Sequence, residues 1–205
     1  MANKIPTFIY FAIGRLGRGE LINLLLKDAS VDFEDVRYAY DATWRKTHAP
    51  ELQKQDLTRT GSLPVLQWQG RNLRHHLPIL RYLSRELGAY DGETSFEKYE
   101  IDTVADLYND WRYKFAEQLT TQTDDFKTDV VPEYYRVLSL YYSDHPEGPY
   151  LLGDKVTYAD FATYQAIDNN ERIGVIVPLP KSLVRFREAF EARENIAAYI
   201  KEHRV

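Results

Sequence analysis

The stretch "GSLPVLQWQGRNLRHHLPILRYLSRELG", residues 61–88, holds the change of period on which the fold reading turns. "SLPVLQW", "QG" and "RNL" read in turn as strand, two-residue turn and strand, a tight hairpin. From His76 to Leu87 the spacing lengthens to that of a helix. Leu80, Leu83 and Leu87 share one face with Ile79 on its flank, and Gly88 follows as a stop. The segment is therefore β-β-α.

Toward the N-terminus, "IPTFIYFA" at 5–12 is rich in β-branched and aromatic residues and runs into the glycine loop "GRLGRG", which marks a strand end. "ELINLLLKD" is apolar at positions 21, 22, 24, 25 and 26, crowded enough for a helix packed on a sheet. "VDFEDVRY" alternates as a strand does, so the chain opens β-α-β with parallel strands. Residues 41–60 are poorly patterned. Beyond residue 88 the character changes. "SFEKYEIDTVADLYNDWRYKFAEQL", "VVPEYYRVLSLYY", "TYADFATYQAI", "KSLVRFREAFEA" and "ENIAAYIKEH" all carry helical periodicity, with no convincing strand, internal repeat or low-complexity tract. The expected plan is a small α/β domain over 1–88 and an all-helical domain over 89–205, linked by "GAYDGET". Thr157 and Asp160 stand three apart before an apolar run, close to a capping box, and are assigned to folding.

Composition narrows the function. Of 205 residues, 44% are hydrophobic and 28% charged, ordinary for a globular protein. No apolar run approaches the roughly 18 residues of a membrane span. "MANKIPTFIYF" carries no cleavable apolar segment, so no secretory signal is read and a cytoplasmic location is expected. Without cysteine the chain has no disulfide, no thiol nucleophile and no thiolate metal site. A net charge of -5 argues against nucleic acid as the main partner. Residues 1–88, however, hold 13 Lys and Arg against 9 Asp and Glu, a net +4 that leaves -9 for the rest. A mildly basic first part suits a small anion better than a polyanion. Solvated surface charge is the plain alternative.

Four pieces in this order and spacing carry a resemblance: "YF" then "GRGE" at 10–20, "GSLPVLQWQG" at 61–70, "LPILRYLSRELG" at 77–88 and "LLGDKVTYADF" at 151–161. Together they resemble the cytosolic glutathione transferases over almost the whole chain, most closely the sigma-like, tyrosine-type branch. The resemblance implies an α/β thioredoxin-like N-terminal domain followed by an all-α C-terminal domain. It also implies glutathione as co-substrate, no metal, a small hydrophobic electrophile as second substrate, and a homodimer. Conjugation and glutathione-dependent isomerisation both fit. A non-catalytic relative, kept as a ligand carrier or structural protein, remains the alternative.

The chemistry asks for a group that favours a thiolate, because a free thiol with pKa near 8.5 is only a few per cent ionised at neutral pH. Depressing it by two pKa units corresponds to about 2.7 kcal/mol. Tyr10, ending the first strand, matches the family's catalytic tyrosine, and Arg18 in "GRGE" matches the supporting arginine, with Arg15 as rival. The loop "YFAIGRLGRGE" is about two residues longer than in sigma-like proteins, and an ungapped match from "GRGE" would place the tyrosine position on Ala12. Phe11, Ile13, Gly14 and Arg15 are expected near the second substrate, with Trp111 and Phe115, whose alternative is core packing.

By the same resemblance Trp44 contacts the glycyl end of glutathione. His48 stands where the family often has a lysine for the glycyl carboxylate. The proline matching Pro64 is cis in thioredoxin-like domains, so Leu63 offers its backbone to the cysteinyl part, a form of strand addition. Asp110, on one helical face with Asp102 and Asp106, matches an acid that reaches across a dimer to the glutamyl amine. His75 and His76 replace a Gln–Ser pair that holds the γ-glutamyl carboxylate at a helix start, itself an anion site. A metal reading of the pair is disfavoured, since adjacent residues do not face one way and no other histidine lies at ligand spacing.

Overall fold

The computed structural model describes residues 5–203. The chain divides into two compact units, one reaching Leu83 and the other starting at Ser84. In the first, β1 (Thr7–Phe11), α1 (Glu20–Asp28) and β2 (Glu34–Tyr38) form the expected βαβ crossover. β1 and β2 are parallel, from Thr7 opposite Glu34 to Phe11 opposite Tyr38. A parallel pair needs such a crossover, and Leu21, Ile22, Leu24, Leu25 and Leu26 of α1 are all fully buried.

β3 (Val65–Trp68) and β4 (Arg71–Arg74) make the hairpin, and the sheet order is β2-β1-β3-β4. β3 runs antiparallel to β1, with Ile9 opposite Val65, and β4 antiparallel to β3, with Val65 opposite Arg74. Gln69 and Gly70 both take positive φ, 47° and 79°, as a type I′ turn requires. The turn matches the right-handed twist of the strands, and Gly70 adopts it without steric penalty. The unpatterned stretch conceals α2 (His48–Lys54), where only Ala49 and Leu52 are buried. α3 (His76–Leu87) begins and ends where the periodicity places it, with Leu80 and Leu83 fully buried.

The second unit is helical: α4 (Ser95–Gln118), α5 (Val131–Tyr141), α6 (Tyr158–Arg172), α7 (Lys181–Glu191) and α8 (Glu194–Glu202). A single π turn, Phe126–Val130, leads into α5. α4 starts at a reciprocal cap: Glu97 N–H donates to the Thr94 hydroxyl at 3.1 Å, and Thr94 N–H to the Glu97 carboxylate at 2.8 Å. The cap at α6 is built from Asp160, which is fully buried. Its carboxylate accepts from Thr157 N–H at 2.7 Å, the Thr157 hydroxyl at 2.8 Å, Tyr142 Oη at 2.8 Å and Leu151 N–H at 3.0 Å. Burial pushes this carboxyl above the ordinary carboxylate range, and the four donors oppose that push. The folding role expected for Thr157 and Asp160 is the one these bonds describe. α4 and α6 are tied through Tyr108 Oη to Gln165 Oε1 at 2.5 Å.

Candidate functional site

In the first unit the expected residues collect at the strand ends and the loops that follow them. Tyr10 is 5% exposed. Its ring lies 6.1 Å from Phe8 and 5.4 Å from Phe11, with the Arg37 guanidinium 6.0 Å from its centroid. Arg37, opposite Tyr10 on β2, is itself held by both oxygens of Asp35 at 2.6 and 3.0 Å and by the Phe11 carbonyl at 3.2 Å. The glycine loop runs against the Tyr10 ring. A Cβ on Gly17 would lie 2.6 Å from Tyr10 Oη, and one on Gly19 2.4 Å from Tyr10 Cγ.

Residues 14–16 form a single 3-10 turn. Arg15, expected near the second substrate, is 6% exposed, and its Nε lies 3.6 Å from Glu20 Oε1 at the start of α1. Glu20 is buried too, and it accepts from Asn23 Nδ2 at 3.1 Å. Arg15 is thus held in a buried ion pair, whereas Arg18 is half-buried. Ile13 is half-buried, and its Cδ1 would meet a Cβ on Gly17 at 2.6 Å; Gly14 is exposed with φ 57°.

Phe11 packs edge-on against Trp44 at 4.7 Å, and His48 lies 6.0 Å from Trp44 and 4.9 Å from Tyr38. Phe11, Trp44 and His48 therefore share one aromatic cluster. Trp44 is 6% exposed and donates its indole N–H to the Gly61 carbonyl at 3.0 Å. That bond fastens Trp44 to the loop entering Leu63–Pro64, whose peptide bond is cis. The loop is held again by Thr58, 1% exposed, whose hydroxyl donates to the Ser62 carbonyl at 2.9 Å. Among the described residues nothing hydrogen-bonds the Leu63 backbone N–H or C=O.

Val65 and Arg74 are the last pair of the ladder, so Pro64 and His75, which flank them, leave the hairpin at the same end. Arg74 ties this end of the hairpin to the α2–β3 loop, donating from Nε to the Leu57 carbonyl at 3.1 Å and from a terminal nitrogen to Asp56 Oδ1 at 3.1 Å and to the Asp56 carbonyl. His75 is exposed and left-handed, with φ 65°, a conformation uncommon outside glycine that clusters at functional sites. Its carbonyl accepts the Ile79 N–H at 3.0 Å. His76, 9% exposed, opens α3, and Pro78 falls in the first turn, where a missing N–H costs little. No group of three His, Cys, Asp or Glu able to hold a metal occurs among the described residues.

In the second unit Asp110 is exposed on α4. Trp111, 2% exposed, stacks on Tyr134 at 5.8 Å and lines a groove of about 380 Å3 between α4 and α5, with Leu107, Val130 and Val137. Phe115 has no exposed surface; it packs on Trp111 at 4.8 Å, on Phe126 at 6.4 Å and under the Arg112 guanidinium at 4.8 Å. Its ring is thus enclosed by side chains of the second unit.

The sequence reading passed over the Trp44–Gly61 bond, the Thr58–Ser62 bond, the Arg74 clamp and the Arg15–Glu20 pair. Three of these four end on backbone carbonyls, which carry no residue signature. Only Arg15 and Glu20, five apart across a glycine loop, could have hinted at a pair.

Comparison with known proteins agrees with this architecture. Residues 103–203 match the family model "Glutathione S-transferase, C-terminal domain". Glutathione S-transferase P 10 of Caenorhabditis elegans is 27% identical over 98% of this chain and 92% of its own length. S-crystallin SL11 of Nototodarus sloanii is 26% identical over 97% of each. Among solved structures, a glutathione S-transferase of Caenorhabditis elegans superposes with a TM-score of 0.79 at 29% identity, covering 98% of both chains. With a thioredoxin-like unit built on a four-stranded mixed sheet, a helical second unit and these relatives along its length, the chain belongs to the glutathione transferase family.

Proposed function

We propose that this protein binds glutathione on its first unit and activates the thiol through Tyr10, for addition to a small hydrophobic electrophile or for glutathione-dependent isomerisation. The observation that carries this reading is the open backbone of Leu63 at the cis Leu63–Pro64 turn, which leads into β3, the neighbour of the strand that carries Tyr10. A peptide-like ligand adding there forms two backbone bonds, as a further strand would. His75 and His76, at the same end of the hairpin as that turn, would take the γ-glutamyl carboxylate at the start of α3. Trp44 and His48 would flank the glycyl end, with Trp44 also holding the loop. Arg18 would support the thiolate, while Phe11, Ile13 and Gly14 would border the electrophile. The thioredoxin-like domain is taken to end at Gly88, and the protein to act in the cytoplasm.

A homodimer is part of the proposal. Phe96, Tyr99, Asp106, Asp110 and Tyr113 follow one another at intervals of three, seven, four and three residues along α4, near-whole numbers of turns, and are all exposed, with Phe96 and Tyr99 more than 60% accessible. Such an aromatic and acidic stripe suits a two-fold contact in which each site borrows Asp110 from its neighbour. Sedimentation at twice the 24.0 kDa chain mass is expected, and a monomer at micromolar concentration would oppose it.

The function is tested by conjugation of glutathione to a generic aryl halide together with the ultraviolet thiolate band of the bound complex. Both are expected in the parent protein. A second reading, a ligand-binding relative without catalysis, is favoured by the S-crystallin similarity and by His75 and His76 in place of Gln and Ser. Calorimetry separates the two: no heat with millimolar glutathione, alongside tight binding of an apolar dye, would support the second.

A further inference from the structure

Gly17 and Gly19 are not glycine for reasons of backbone conformation. Gly17 has φ -98° and ψ 159°, and Gly19 has φ -67° and ψ -23°, regions open to any residue. Space is what excludes a side chain. A Cβ on Gly19 would stand 2.4, 2.5 and 2.7 Å from Tyr10 Cγ, Cδ1 and Cδ2, at the base of the ring. One on Gly17 would stand 2.6 Å from Tyr10 Cε1, 2.6 Å from Tyr10 Oη and 2.6 Å from Ile13 Cδ1. The loop backbone thus follows the ring from its base to its hydroxyl, an approach that needs two bare Cα atoms. Gly14, in the same loop, would meet nothing within 4 Å, so the close approach belongs to the pair rather than to every glycine there. The ring has little room to withdraw, with Phe8 and Phe11 packed on it and 5% of its surface exposed.

From this we infer that Gly17 is a positioning residue for Tyr10: its missing side chain sets where the phenolic oxygen stands, and hence how strongly that oxygen stabilises a glutathione thiolate. The inference rests on the reading of Tyr10 as the thiolate donor. A methyl group at position 17 must regain ordinary contact near 3.4 Å, so the hydroxyl would move by about 0.8 Å. Displacements of about 1 Å at a reacting centre can cost ~100-fold in rate. Gly19, whose clash is with the ring base, fixes the plane of the ring more than the reach of its hydroxyl.

The test is Gly17→Ala, read by the pH dependence of the thiolate band in the glutathione complex and of kcat/KM for aryl halide conjugation. The inflection is expected to rise by about one pH unit and kcat/KM at pH 6.5 to fall about tenfold, with glutathione Kd within about twofold of the parent. In Tyr10→Phe, where the hydroxyl is already absent, adding Gly17→Ala should move the inflection no further. An unshifted inflection in Gly17→Ala, while Tyr10→Phe does shift it, overturns the inference alone. An inflection that Tyr10→Phe leaves unmoved overturns the reading of Tyr10 and the inference with it. Should Gly17→Ala not fold, Ile13→Ala combined with Gly17→Ala opens space on the other side of the methyl. Its inflection is expected above that of Ile13→Ala alone, and equality would count against the inference.

Discussion

Replacing Trp44 by Phe removes one N–H while keeping an aromatic ring in the Phe11, Tyr38 and His48 cluster. The lost bond is the 3.0 Å contact with the Gly61 carbonyl, on a residue that is itself buried. A buried carbonyl left without a donor costs about 1–3 kcal/mol. Trimming indole to phenyl removes roughly 40 Å2 of buried apolar surface, about 1 kcal/mol at 25 cal/mol per Å2. A loss of about 2–3 kcal/mol is therefore expected in guanidinium denaturation, with an unchanged dependence on denaturant. Amide exchange should quicken around residues 58–64, the loop that the bond anchors. Glutathione Kd should rise by less than about threefold, because the indole N–H is already engaged within the protein. Unchanged stability with a tenfold weaker Kd would refute this reasoning, since the N–H would then belong to the ligand.

Asp160→Ala strands the Thr157 and Leu151 N–H groups and the Tyr142 hydroxyl in a buried site, and a loss of about 3 kcal/mol or more in chemical denaturation is expected. The N–H groups of Thr94 and Glu93 hold the Glu97 carboxyl below its ordinary value. Its contribution is then complete above the unfolded pKa of about 4.3 and is lost as pH falls through the folded value, so Glu97→Gln should destabilise by about 0.5–1 kcal/mol at pH 7 and by less at pH 3. If His75 and His76 meet the γ-glutamyl carboxylate, His75→Ala combined with His76→Ala should weaken calorimetric affinity for glutathione by about tenfold, whereas an unchanged Kd would remove them from that role.

The strands were legible because alternation, a "QG" turn and β-branched residues agree with one another from Ile5 to Leu73. α3 was legible to the residue, since its face repeats by three and four and glycine ends it. α2 was hidden because two buried residues, Ala49 and Leu52, make no stripe, and the helix is placed by its neighbours. The cap at Thr157 could be read from its spacing, but nothing showed that Asp160 would be fully buried and shared with Tyr142 and Leu151. The candidate site stood out only through resemblance, because its residues in the first unit are scattered from position 10 to 76 around the sheet and its loops, and Asp110 and Trp111 lie on α4. What no pattern signalled is how the loops are held. Trp44 reaches Gly61 across seventeen positions, and Arg74 reaches Leu57 by a backbone oxygen.

The central claim, that Tyr10 activates a glutathione thiol, is tested most directly by the thiolate band of bound glutathione titrated in the parent protein and in Tyr10→Phe. The parent is expected to ionise the bound thiol well below 8.5, and the variant close to it, with kcat for aryl halide conjugation reduced at least tenfold. The same low inflection and undiminished turnover in Tyr10→Phe would contradict the account.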